Sequence, residues 1–271
     1  MINQDLRLVR YKPDKREGVN PSSNDPSVKK VIAVCSRVYD LGLVDSYKQG
    51  GTIAGSHGNV SARIQDSEKT APYDVHFITA SALPSKQHLT ADDLSRVLKM
   101  EMPKSADEQG KVPYVGEKVA SSETIYHSFF YEQEPEILGI IHGHFDAKLM
   151  YADPAREHIL EEAWRELGII SSNRYGVEGT VDLPLSVRDV LAPGQWKYLT
   201  VVWKDHYPRD ATIEPEHQRR IGMSVMDVDL DRALERTERF VYGLIDAGKR
   251  RYGGVTFQEQ FPRFAALRPE E

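Results

Sequence analysis

The sequence predicts a layered sheet protein of mixed character, α/β or α+β, and three observations carry that prediction. Apolar runs of strand length, at residues 137–141 and 198–204, alternate with segments whose apolar residues recur at helical spacing, at 28–39 and 228–249. No internal repeat is present, and no linker inside residues 27–250 marks a second domain. A chain of 271 residues is long enough to bury a sizeable core. The expected organisation is an N-terminal arm over 1–26, one domain over 27–250 and a tail over 251–271.

Each element has its own signal. Residues 12–26 are rich in Pro, Ser, Asn and charge, which reads as a flexible or extended arm. After Ser27, read as a helix cap, Val28, Val31, Ile32, Cys35, Val38 and Tyr39 follow helical spacing, and the helix ends near Gly42. Residues 50–58 form a glycine-bearing loop, and Val60, Ala62 and Ile64 alternate as a strand. Residues 75–79 give another short strand. Thr90, Asp92 and Asp93 ahead of Leu94, Val97 and Leu98 predict a capped helix. Ser121 and Ser122 open a helix carrying Ile125, Phe129 and Phe130 on its inner side, which stops before Pro135. The apolar strand at 137–141 follows at once. A helix over 147–167, a strand over 198–204 and a long helix over 228–249, capped near Asp227, complete the chain.

Composition narrows the function. The net charge is -6 and basic residues are interleaved with acids, whereas nucleic-acid and anionic-membrane surfaces need clustered Lys and Arg. The single cysteine, Cys35, excludes an internal disulfide and lies in an apolar helical stripe, as a core residue would. No apolar run reaches the ~20 residues of a membrane helix, and residues 1–16 lack a signal-peptide core. A cytoplasmic protein with a small-molecule partner is expected.

The chemistry gathers at His142-Gly143-His144, which closes the apolar run. In a strand, residues two apart share a face, so these two imidazoles project side by side. A lone histidine is usually a satisfied core residue; a pair at this spacing is a metal grip for zinc, iron, copper or nickel. His206, just past a buried strand, would join the pair if the two strands are neighbours; its plainer reading is a surface loop residue. Glu123 falls in the first turn of the helix leading to the histidine strand. Helix polarity and a nearby dication favour its ionised form and burial opposes it, which suits an acid/base. The bland reading is an acid that complements the helix dipole.

Gly58-Asn59-Val60-Ser61-Ala62-Arg63, Ile78-Thr79-Ala80-Ser81-Ala82-Leu83-Pro84 with Leu89-Thr90 behind it, Ser121-Ser122-Glu123 and His142-Gly143-His144 stand in a telling order and spacing. Together they resemble the class II aldolase/adducin family. The resemblance continues through Tyr175-Gly176, Gly179-Thr180 and His206, over about residues 28–245. It implies a three-layer α/β/α domain with a central, mainly antiparallel sheet, and homotetramers with active sites between subunits. By position, His142, His144 and His206 would hold a divalent metal, most often zinc with iron(II) as the alternative, and Glu123 would be the acid/base. Gly58, Asn59, Ser61, Thr79, Ser81, Ser121 and Ser122 match substrate-binding positions, where amides and hydroxyls suit an oxyanion such as a phosphate. A C-terminal tyrosine of the family can reach a neighbour's site, which makes Tyr252 a candidate.

The implied reaction is aldolase-type lysis of a small hydroxy-ketone or sugar-phosphate-like substrate through a metal-stabilised enediolate. Two alternatives stand beside it. One is a non-haem iron oxygenase or a decarboxylase on the same scaffold; the other is a non-catalytic, adducin-like binding module, against which the retained Glu123, His142 and His144 count. The chain departs from the family pattern at Ala80 and Ala82, where proline and glycine are usual, and at Tyr207-Pro208. A methyl group at Ala82 would obstruct close backbone approach to a phosphate. His57 is also unusual and reads as a loop residue in preference to an extra acid/base.

Overall fold

Period-two burial along one strand builds both halves of the core. Ile140 and Ile141 are adjacent, yet each packs in a different apolar cluster, one on either side of the sheet. The computed structural model describes residues 11–44, 46–49, 52–145, 165–172, 174, 176–177, 179–191, 199–203 and 221–254. Its elements are β1 (Lys12–Lys15), α1 (Pro26–Asp40), β2 (Ser46–Gln49), β3 (Thr52–Ser56), β4 (Asn59–Arg63), β5 (Asp74–Thr79), β6 (Leu94–Leu98) and β7 (Lys111–Val115). There follow α2 (Thr124–Gln133), β8 (Gly139–Phe145), β9 (Ile170–Ser171), α3 (Asp182–Arg188), β10 (Leu199–Trp203), β11 (Ile221–Asp227) and α4 (Leu230–Tyr252).

The sheet has the order β1-β7-β6-β5-β4-β8-β11-β10-β9, with β2 and β3 as a separate hairpin. Only the two outermost pairings, β1 with β7 and β9 with β10, are parallel; every inner pairing is antiparallel. Helices α1 and α4 cover one face, burying Val31, Cys35, Val60, Ile141, Val225 and Leu244 together. Helices α2 and α3 cover the other with Ile125, Phe130, Leu183, Val187, Ile78 and Ile140. This is the three-layer α/β/α fold with a mainly antiparallel sheet. Among the described residues no helix is long and apolar enough to cross a membrane.

Several elements differ from the sequence reading. The capping signal at Thr90 is real: its amide and hydroxyl both donate to Asp93. It closes only one 3-10 turn, Ala91–Asp93, and Leu94–Leu98 is the strand β6, not a helix. All five residues of β6 are buried, and a strand buried on both faces loses the alternation that distinguishes it from a helix. The loop expected over 50–58 contains strand β3, the second arm of the β2–β3 hairpin, and β7 and β11 had no sequence signal of their own. Within the stretch read as a flexible arm, β1 pairs with β7 and Tyr11 is buried, its hydroxyl donating to the Ala120 carbonyl at 2.6 Å. Helix α1 takes Asp25 in its cap position, while the amide and hydroxyl of Ser27 donate to Glu68. The helix expected over 147–167 falls largely outside the described residues, as do residues 204–220 and the tail after 254.

Candidate functional site

Strand β8 sends His142 and His144 to the α2 face, beside Ile140. Both are buried, their Nε2 atoms lie 2.8 Å apart and their ring centroids 4.6 Å apart. The Nδ1 of His142 is 2.8 Å from the carbonyl oxygen of Met223. A carbonyl only accepts, so Nδ1 carries the hydrogen and Nε2 keeps its lone pair. That is the tautomer of a metal ligand whose other nitrogen is oriented by a backbone carbonyl. Two imidazoles on a tetrahedral cation, each about 2.1 Å away, have nitrogens roughly 3.4 Å apart. A small ring rotation converts the present pair into that arrangement, so the donor set fits a divalent metal. Among the described residues no three His, Cys, Asp or Glu form a complete set, and His206, the expected third ligand, lies outside them.

Two glycines make this strand approachable. A Cβ on Gly143 would come within 2.9 Å of the Leu43 Cβ, and the Leu43 carbonyl accepts a 2.7 Å bond from the His144 amide. Gly58 has φ +65°, and a Cβ there would meet the His142 oxygen at 2.6 Å and the Gly143 Cα at 3.2 Å. The Gly58-Asn59 pair is therefore explained by close backbone packing on the histidine strand. Asn59 pairs in register with His142 and shares its face. It is buried, and its Oδ1 accepts no hydrogen bond among the described residues. Two residues earlier, His57 is also buried, and its ring centroid lies 4.9 Å from that of His144. The sequence reading of His57 as a loop residue missed this contact. Antiparallel pairing of Asn59 with His142, extended by two positions, is the signal that would have found it.

Helix α2 runs over the neighbouring strand in step. Tyr131 lies under the Arg63 guanidinium at 4.9 Å, and one turn earlier the His127 Nδ1 is 2.6 Å from the Ser61 hydroxyl. The Ser61 hydroxyl also bonds the Tyr131 hydroxyl at 2.8 Å. One helical turn rises ~5.4 Å and two strand residues ~6.6 Å, which is why side chains one turn apart on α2 meet Arg63 and Ser61, two residues apart on β4. Glu123 stands at the helix start and is buried; its carbonyl accepts the His127 amide and its own amide donates to the Ser121 hydroxyl. At the other end, Arg63 donates to the carbonyls of Tyr131, Glu134 and Ile137, which fixes where α2 stops and β8 begins.

The remaining substrate candidates divide. Ser61 is engaged with α2, as above. Thr79 accepts from the Val60 amide and lies on the α1 face, opposite the histidines. Ser81 donates its hydroxyl to the Ala120 carbonyl at 2.9 Å and its amide to the Val119 carbonyl, so its loop runs beside that of Ser121 and Ser122. Ala82 has φ 54°, the left-handed conformation that a glycine would take easily. The side chain of Tyr252 lies outside the description.

Burial sets the charge of the groups around the site. It pushes His127 down to about 3 and holds His76 well below the ordinary histidine value, so both are neutral. Burial also pushes Lys86 down to about 8.

The three-layer fold with a mainly antiparallel sheet, and two buried histidines converging on one of its central strands, can be set beside known proteins. Residues 29–206 match the family model described as the class II aldolase and adducin N-terminal domain, and the chain belongs to that family. No curated protein matches the chain. Among solved structures, L-fuculose 1-phosphate aldolase is 18% identical, with a TM-score of 0.53 over 92% of this chain and 100% of that one. YgbL from Klebsiella pneumoniae, a candidate aldolase/epimerase/decarboxylase, is 15% identical, with a TM-score of 0.49 over 93% of this chain and 100% of that one. At these identities the likeness is one of fold.

Proposed function

We propose that the protein is a divalent-metal-dependent lyase of aldolase type, acting on a small hydroxy-ketone or sugar-phosphate-like substrate. The observation that carries this reading is the convergence of the His142 and His144 Nε2 atoms at 2.8 Å, with His142 oriented by the Met223 carbonyl. His142 and His144, with His206, would hold the metal, zinc in the first place and iron(II) as the alternative. When bound, the metal supplies Lewis acidity at a substrate oxygen. Glu123 takes or returns the proton on the substrate, held in place by the start of α2. The buried Asn59 Oδ1 accepts from a substrate hydroxyl. Hydroxyls of Ser81, Ser121 and Ser122 and the backbone at Gly58 receive an anionic group if the substrate has one. The molecule works as a homotetramer, which light scattering on the purified protein would establish or remove.

Metal analysis of purified protein, joined to aerobic and anaerobic assays over plain and phosphorylated hydroxy-ketones, tests the reading. Bound zinc and carbon–carbon cleavage without dioxygen are expected. Dioxygen consumption with ferrous iron would replace it by an oxygenase, and a metal-free protein by a binding module. The Glu123→Gln variant should retain its metal and lose about 10²–10⁴-fold in kcat; unchanged turnover would remove Glu123 from the proton step.

A further inference from the structure

Lys86 is almost fully buried, 2% exposed, and its ammonium donates to three successive carbonyls: Ser56 at 3.1 Å, His57 at 3.1 Å and Gly58 at 2.5 Å. An ammonium has three hydrogens, so these acceptors saturate it. Among the described residues no salt bridge pairs it with a carboxylate. A buried cation without an anion is an expensive way to fill space, and an apolar side chain of like size would pack at lower cost. The expense has a local explanation in what the three carbonyls belong to.

They belong to the loop that carries His57 against His144 and lays Gly58 on the His142 carbonyl. Its next residue, Asn59, enters β4 in register with His142. A trans peptide unit points its C=O and N–H in opposite directions. Drawing three carbonyls onto one ammonium therefore turns the following amides away from it and fixes the rotation of the whole loop.

We propose that Lys86 is a positioning residue for the histidine site: it anchors residues 56–58 from beneath, and so fixes His57 and Asn59 against His144 and His142. The inference rests on the reading of that pair as metal ligands. Cobalt(II) is the probe, because its visible d–d absorption reports the geometry of the ligands without turnover. Wild type should bind cobalt(II) with a ligand-field band, and His142→Ala should lose it. Lys86→Met, folded by circular dichroism, should bind roughly tenfold more weakly and with a displaced band, the scale on which outer residues act on a metal site. Should Lys86→Met fail to fold, Lys86→Gln, whose amide offers two hydrogens to the three carbonyls, is measured in its place; weaker binding than wild type and a displaced band are again expected, by a smaller factor. A Lys86 variant that melts earlier but binds cobalt(II) with the wild-type affinity and band, while His142→Ala loses both, overturns the positioning role and leaves the metal reading standing. Wild-type protein that binds no cobalt(II) removes both together.

Discussion

Ala82 and Gly58 show the same backbone demand met in opposite ways. Ala82 holds φ 54° with a methyl group, a conformation that costs an L-residue about 1–2 kcal/mol. Glycine would lift that cost but bring more freedom to the unfolded chain, about 0.5–1 kcal/mol. Ala82→Gly should therefore raise stability by up to about 1 kcal/mol, seen as a higher urea midpoint at unchanged slope; a lower midpoint would show that the loop carries no such strain. The sequence revealed the departure from glycine here, but it could not show that the backbone keeps a glycine-like turn regardless. Gly58 is the converse. Gly58→Ala would add a Cβ 2.6 Å from the His142 oxygen at φ +65°, so a loss of roughly 2 kcal/mol or more is expected, again by urea unfolding, together with weaker cobalt(II) binding. His142 and His144 were legible as a pair from strand period, and Asn59 from motif order alone; that Asn59 faces His142 shows only in the strand pairing. His57 was not legible, because its place depends on the pairing of two strands.

At the scale of elements, the seam between α2 and β5 holds two neutral imidazoles. The His76 ring is tilted against Tyr131 at 4.9 Å between centroids and faces that of His127 at 6.5 Å, and both histidines are wholly buried. Each has its folded value lowered below the ordinary 6.5 by burial, His127 to about 3. The unfolded chain therefore binds more protons than the native one below pH 6.5. Their contribution to stability is whole above that pH and is lost as pH falls from 6.5 toward 3. With two such groups the slope approaches about 2.7 kcal/mol per pH unit. His76→Leu should remove about half of that slope, measured by urea titrations at stepped pH; an unchanged slope would show that His76 takes up its proton in the native protein as it does in the unfolded chain. Of the elements themselves, α1, α2, β4, β5, β8, β10 and α4 followed from apolar period, whereas the cap of α1 did not, since Asp25 and not Ser27 takes that place. The strand β6 did not, because burial on both faces erased its alternation, and β1 has too little apolar content to announce itself.

For the whole molecule, the ends of the sheet matter most. β1 covers the edge of β7, and the buried Tyr11 ties it to the loop at Ala120. Removal of residues 1–16 should uncover the β7 edge, and an open edge is a template for pairing with another chain. Lowered melting temperature and new self-association in light scattering are expected; a stable truncated protein of unaltered size would show that β1 adds nothing. The layered plan was readable from the alternation of elements, whereas the parallel edges were not, since they join segments far apart in sequence. One last consequence concerns inheritance. Arg63 fixes the end of α2 by three carbonyls, and the start of the same helix carries Glu123. Each residue inserted in that helix would swing its far end by about 100°. Natural variants that keep the acid and the histidine pair must therefore preserve the residue count between Glu123 and His142, while the exposed turn at 104–109 is free to lengthen or shorten.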